Sequence, residues 1–109
     1  MALDLPKLRK LVALDENDPL SRFALAKKLF ETDPSPAALE EAAEHLRFAN
    51  AKAPEHLATY HVLGQVLIRL GRKDEARQVL EAGLTRAGAV GEGMGMHLGP
   101  AMEDLLRGL

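Results

Sequence analysis

The stretch Leu57-Ala58-Thr59-Tyr60-His61-Val62-Leu63-Gly64-Gln65-Val66-Leu67-Ile68-Arg69-Leu70-Gly71 decides how this chain folds. Leu57, Tyr60, Leu63, Leu67 and Leu70 recur at spacings of three and four, which places them on one face of a helix over about 55–70. Gly71 then supplies the left-handed residue that commonly ends a helix. A second apolar series, Ala76, Val79, Leu80 and Leu84, follows at once and predicts a helix over about 73–87. Two helices joined by so short a turn form an antiparallel hairpin.

The same reading extends in both directions. Asp18 before Pro19 is an N-cap followed by a proline suited to the first helical turn. Leu20, Phe23, Ala24, Leu29 and Phe30 continue from it as a helix over about 19–31. Thr32-Asp33-Pro34-Ser35-Pro36 breaks that helix, and either Asp33 or Ser35 can cap the next. The next helix carries Leu39, Ala42, Ala43, Leu46 and Ala49 inward and runs to about Lys52, before Pro54.

Weaker helices flank these four. One over about 4–14 shows Leu5, Leu8, Leu11 and Val12; another within 93–107 shows Met94, Leu98, Met102, Leu105 and Leu106. Glycines at 88, 91, 93, 95 and 99 lie in or just before the last of these. Each weakens a helix by roughly 1 kcal/mol relative to alanine, so a short or kinked helix is expected there. The expected fold class is all-α, about six helices in antiparallel hairpins.

Composition agrees. A chain of 109 residues suits one domain, 1–109, and its 47% hydrophobic content supports a core. Aromatic residues make up only 4% and there is no tryptophan, so the core must be aliphatic, which favours helices over sheet. The net charge of −2 gives no electrostatic case for nucleic acid, although Lys7, Arg9 and Lys10 cluster near the start. With no cysteine, disulfides and thiolate chemistry are excluded. No apolar run suits a signal peptide or a membrane span, so a cytoplasmic protein that avoids membranes is expected.

The two hairpins repeat one another. Ala42, Leu46, Ala49 and Pro54 match Ala76, Leu80, Gly83 and Gly88 at an offset of 34. Leu25, Ala26 and Leu29 match Leu63, Gly64 and Leu67 at an offset of 38, so the first hairpin carries four extra residues around its Asp33–Ala38 turn. Four residues are close to one helical turn, so a longer helix can absorb them without turning its apolar face away.

A two-helix unit with a 34-residue period resembles the tetratricopeptide repeat. In that pattern Tyr60 takes the first aromatic position, Leu63-Gly64 the Leu-Gly pair and Leu67 a second large residue. Gly71 takes the turn, Ala76 the small residue of the second helix and Leu80 the large one. The resemblance implies a short right-handed superhelix in which Gly64 and Ala76 meet across a tight crossing. It implies repeats over 19–54, with a four-residue turn insertion, and 55–88. A preceding half-repeat helix would occupy 4–14 and a capping helix 93–107. The first repeat departs from the pattern, with Arg22 at the aromatic position and Asp33 in place of the turn glycine.

Chemistry is sparse. His45, His56, His61 and His97 lack the paired spacing of a zinc helix, so no metal is expected. The glycine run 91–96 lacks the lysine and hydroxyl ending of a phosphate loop, so no cofactor is expected. Glu40, Glu41 and Glu44 read as a solvated acidic face, Met94, Met96 and Met102 as core filling, and Ser21 has no evident base. A non-catalytic adaptor that binds proteins is the expected function.

The resemblance puts the first helix of each unit on a concave side. It would present Leu20, Phe23, Lys27 and Phe30 from one unit, and Ala58, His61, Gln65, Ile68 and Arg69 from the next. The candidate partner-binding residues are therefore Phe23, Lys27, Phe30, His61, Gln65, Ile68 and Arg69, suited to a peptide or helix with apolar and acidic residues. Ala24 and Val62 stand where some members carry asparagines that clamp a C-terminal carboxylate, so that ligand is not expected. Two alternatives stay open: Phe23 and Phe30 are exposed or core, and the partner is another protein or a second copy.

Overall fold

The computed structural model describes residues 4–90 and 97–109, with the side chains of Ala89 and Val90 excepted. Six helices run through them: α1 (Leu5–Leu14), α2 (Pro19–Thr32), α3 (Pro36–Lys52), α4 (Leu57–Arg69), α5 (Lys73–Val90) and α6 (Leu98–Arg107). Among the described residues there is no strand. None of these helices is long and apolar enough to cross a membrane.

Polar caps and prolines set where the first three helices begin. Asp4 accepts from the Lys7 backbone N–H at 3.1 Å, and Asp18 from that of Leu20 at 3.1 Å. Of the two candidate caps before α3, Ser35 takes the role, accepting from the Ala38 N–H at 3.2 Å. Asp33 instead accepts from the Ser35 N–H at 3.0 Å and so shapes the entry to that cap. The α4 cap residue His56 makes no side-chain cap bond. Its entry is fixed otherwise, by the Tyr60 hydroxyl donating to the Pro54 carbonyl at 2.6 Å.

Gly71 ends α4 as its sequence position implies. Its φ of 78° is the one left-handed backbone among the described residues. The Arg72 N–H reaches back to the Leu67 carbonyl at 2.9 Å and the Gly71 N–H to that of Ile68 at 3.0 Å. These two bonds satisfy carbonyls that a helix end leaves open, and the φ is one that a Cβ would strain.

Helices α2 and α3 pair, as do α4 and α5; α3 lies against α4, α1 against α2, and α6 against both α5 and α4. The loops inside the two hairpins span 33–35 and 70–72. The extra residues of the first hairpin therefore lie in helix rather than in a longer loop, mainly at the start of α3. The core follows the heptad-like faces of α3 and α4: Leu39, Ala42, Ala43, Leu46, Leu63, Val66 and Leu67 are all buried. Leu8 of α1 joins this cluster, and Met102 of α6 is buried in a second one with Leu57, Tyr60 and Leu80.

Three packing details differ from expectation. A Cβ placed on Gly64 would lie 2.5 Å from Leu80 Cδ2 and 2.7 Å from its Cγ. The knob seated on Gly64 is thus Leu80, one turn along α5 from Ala76. Ala76 is fully buried, in the cluster of Leu63, Val66 and Leu67. A close three-helix junction lies at Gly83, which periodicity alone did not single out. A Cβ there would meet Met102 Sδ at 2.6 Å and Tyr60 Cβ at 2.7 Å.

Helix α2 is the third. Its buried residues are Leu25, Ala26 and Leu29, while Leu20 is 57% exposed. Of the apolar series Leu20, Phe23 and Phe30, the two phenylalanines pack partly against the core and Leu20 stays outside it. In the first hairpin Arg22 stands where the second has Tyr60, and its guanidinium lies 4.0 Å from the Phe48 ring centroid. The aromatic surface there comes from α3 and the cation from α2. Met94 and the rest of the glycine run lie outside the described residues.

Candidate functional site

Beside its core-facing side α2 carries Phe23, Lys27 and Phe30, at successive spacings of four and three. On α4, His61, Gln65, Ile68 and Arg69 do the same beside buried Leu63, Val66 and Leu67. Both helices therefore present a second face next to the face that holds the fold together. Phe23, Phe30 and Ile68 pack partly on the core and are only partly accessible. Phe23 and Phe30 are thus neither fully exposed nor fully core.

These faces enclose a cleft of about 310 Å³ between α2 and α4, bordered by Leu98 of α6. Phe23, Lys27, Phe30, His61 and Gln65 line it. A smaller cleft of about 150 Å³ shares Phe30 and Gln65 and adds Ile68, Arg69 and Leu105. The seven residues singled out from sequence are divided between these two clefts, which share Phe30 and Gln65. Leu20 is exposed and lines neither of these clefts.

Aromatic contacts set the shape of the clefts. Phe23 meets the His56 ring edge to face, with centroids 4.9 Å apart and planes at 79°. The Arg69 guanidinium stands 4.8 Å from the Phe30 ring centroid, close enough for a cation–π attraction worth about 0.5–1 kcal/mol at an exposed site. Neither Lys27 nor Arg69 has an ion-pair partner among the described residues, whereas Arg9, Arg47, Arg72, Arg77 and Arg107 each have a carboxylate. Glu31 is the one acid among the residues lining the larger cleft.

Burial holds the His61 imidazole below the usual histidine range. The unfolded chain therefore takes up a proton more readily than the folded one as pH falls. This contribution to stability is fully present above pH 6.5, the ordinary value, and is lost as pH drops through the lower folded value. The denaturation midpoint should fall on acidification from pH 7.5 to 5, and His61→Gln should flatten that fall. Urea titration of both chains at the two pH values checks this.

Sequence reasoning missed a polar chain on another side of the molecule. Arg9 of α1 donates to Glu41 of α3 at 2.6 and 3.1 Å. Glu41 lies 3.2 Å from His45 Nε2, whose Nδ1 is 3.3 Å from Arg22 of α2. The Arg9 hydrogen bond, helped by His45, holds the Glu41 carboxyl below its usual range. Three helices are joined by this chain, and the only earlier signal was an i, i+4 Glu41–His45 spacing. Ser21, considered as a nucleophile, donates to Asp18 at 2.6 Å and serves the cap. No group of three potential metal ligands gathers among the described residues.

Paired antiparallel helices that stack side by side, with one open face along α2 and α4, define a helical-repeat protein. A family model described as the tetratricopeptide repeat matches residues 35–89, half of the chain. The chain belongs to the tetratricopeptide repeat family. The match spans α3, α4 and α5, whose crossings at Gly64 and Gly83 were described above. Repeats of this family generally mediate protein–protein interaction and are typically non-catalytic. No curated protein matches the chain significantly.

Proposed function

We propose that this chain is a non-catalytic adaptor that holds a peptide or helix in the depression between α2 and α4. The observation that carries this reading is the placement of Phe23, Phe30 and Ile68 with Lys27 and Arg69 along two neighbouring clefts that share Phe30 and Gln65. Partly accessible apolar rings give area for a ligand to bury, and cations without carboxylate partners favour acidic residues beside its apolar ones. In this arrangement α1 is the second half of a preceding repeat, 19–54 and 55–88 are the two repeats, and α6 caps the stack.

Charge reversal tests the reading with little risk to the fold, because Lys27 and Arg69 are exposed. Lys27→Glu with Arg69→Glu should abolish capture of partners from an extract of the native host. Helical circular dichroism should stay unchanged and the melting point should move by a few degrees at most. Capture equal to that of the parent chain contradicts the groove.

A second reading has its own observation. Leu14 is 82% exposed, Leu20 57% and Leu11 40%, all near the α1–α2 connection. Apolar surface at one end of a repeat stack suits association with a second copy. Light scattering separates the two: a mass that rises with concentration, and that Leu14→Lys returns to the monomer value, supports self-association.

A further inference from the structure

The groove lies on one side of α2, and the other side of that helix holds a second cleft. Leu8 of α1 and Phe23, Ala24, Lys27, Lys28 and Glu31 of α2 line a space of about 320 Å³ between the two helices. Phe23, Lys27 and Glu31 line this cleft and the α2–α4 groove alike. Helix α2 is thus a shared wall, with a half-buried aromatic ring and an exposed cation at its crest. The two depressions are two stations on one surface.

Charge is unevenly placed in this part of the molecule, cations within the helices and most acids at their ends. Helices α1 and α2 hold six cations, Lys7, Arg9, Lys10, Arg22, Lys27 and Lys28, against the single acid Glu31. The chain as a whole carries −2. The nearby acids Asp4, Asp15, Asp18 and Asp33 lie at helix ends, where their carboxylates accept backbone N–H bonds, and Glu16 lies in the α1–α2 loop. Arg9 is taken by Glu41 and Arg22 by the Glu16 carbonyl and the Phe48 ring. Lys27 and Lys28, which line the cleft itself, have no ion-pair partner among the described residues.

We infer that the ligand's path crosses α2, so that this chain takes an acidic amphipathic segment with two apolar anchors. One anchor enters the groove against Phe30 and Ile68; the other enters the α1–α2 cleft against Leu8 and Ala24. Carboxylates between them meet Lys27 and Lys28. This inference rests on the groove reading and extends it to the α1–α2 side of the wall. A polypeptide fits better than a nucleic acid, because Leu8 and Ala24 offer the cleft an aliphatic lining suited to an apolar side chain and the chain as a whole carries a net charge of −2.

A peptide-display selection on the purified full chain supplies the probe: random 16-residue peptides, with the enriched ones synthesised and titrated by fluorescence anisotropy. The enriched peptides should combine two apolar clusters with Asp or Glu, and their affinity should fall as salt rises. Lys28→Glu, which alters the α1–α2 cleft alone, should weaken binding about tenfold, and Arg69→Glu, in the groove alone, by a similar factor. Circular dichroism confirms that both variants fold.

If Lys28→Glu binds as the parent does while Arg69→Glu is weakened, the second station is overturned and the groove stands. If only Lys28→Glu is weakened, the shared path and the groove reading both fail. Failure of any acidic peptide to enrich overturns both as well. A salt-sensitive mobility shift with single-stranded RNA, competing with the peptide, overturns the polypeptide assignment. A dimer mass that Lys28→Glu abolishes assigns the cleft to a second copy and overturns it too.

Discussion

Replacing Gly83 with leucine is expected to lower stability by about 3 kcal/mol or more, the upper part of the range for overpacked cores. A Cβ alone would stand 2.7 Å from Tyr60 Cβ and 2.6 Å from Met102 Sδ. The sulfur ends a flexible side chain and can swing aside. The Tyr60 Cβ cannot, because it is fixed to the α4 backbone and its hydroxyl is anchored to the Pro54 carbonyl. Either α4 or α5 must therefore shift, and α6 loses its seat. For a domain of about this size, 3 kcal/mol corresponds to a melting point lower by roughly 10–20 °C. Thermal unfolding followed by circular dichroism reads this directly. A drop of only one or two degrees would mean that the junction is looser than described.

Leu80→Ala should cost a comparable amount, about 2–5 kcal/mol, since the side chain is fully buried and a cavity would remain. Its coupling to Gly64 is more informative than its size. In the parent chain Gly64→Ala must push Leu80 away and should destabilise. In the Leu80→Ala background the same methyl enters the vacated space, so it should be neutral or stabilising. A double-mutant cycle in urea should return an interaction energy above about 0.5 kcal/mol. Additive effects would place the close approach elsewhere, as the initial pairing of Gly64 with Ala76 did.

The outline of the fold was legible because its signals are local. Prolines behind Asp18 and Ser35, the glycine at 71 and the aliphatic period of α3 and α4 each act within one helix or turn. The repeat offset then tied the hairpins together. Crossings were harder, since Gly64 and Gly83 report that something comes close but not which side chain it is. Gly83 had been aligned with Ala49 without being marked as a crossing. What fills the space above it is Met102, from a helix whose start the glycine-rich sequence obscures. The charged chain through Arg9, Glu41, His45 and Arg22 was invisible for a related reason. Apart from the i, i+4 pair Glu41–His45, its members are far apart in sequence, and no spacing rule joins Arg9 and Arg22 to that pair.

The candidate groove was readable to a different degree. Once the repeat register was set, all seven residues could be placed on two neighbouring helix faces, and the clefts gather them. Leu20 failed because it lies too close to the start of α2 to reach the depression. Half-burial of Phe23 and Phe30 could not be read from the sequence, since it depends on how far α4 and α6 stand from α2. Lys28 escaped notice because it faces α1, on the far side of the wall that α2 makes.

The most direct test is a chemical-shift map of the labelled chain titrated with the display-selected peptide. The account predicts that perturbed amides concentrate at Phe23, Lys27, Phe30, His61, Gln65, Ile68 and Arg69. Perturbations gathered instead at Glu44, Arg47, Arg77 and Glu81 on α3 and α5, with these seven unmoved, would contradict it.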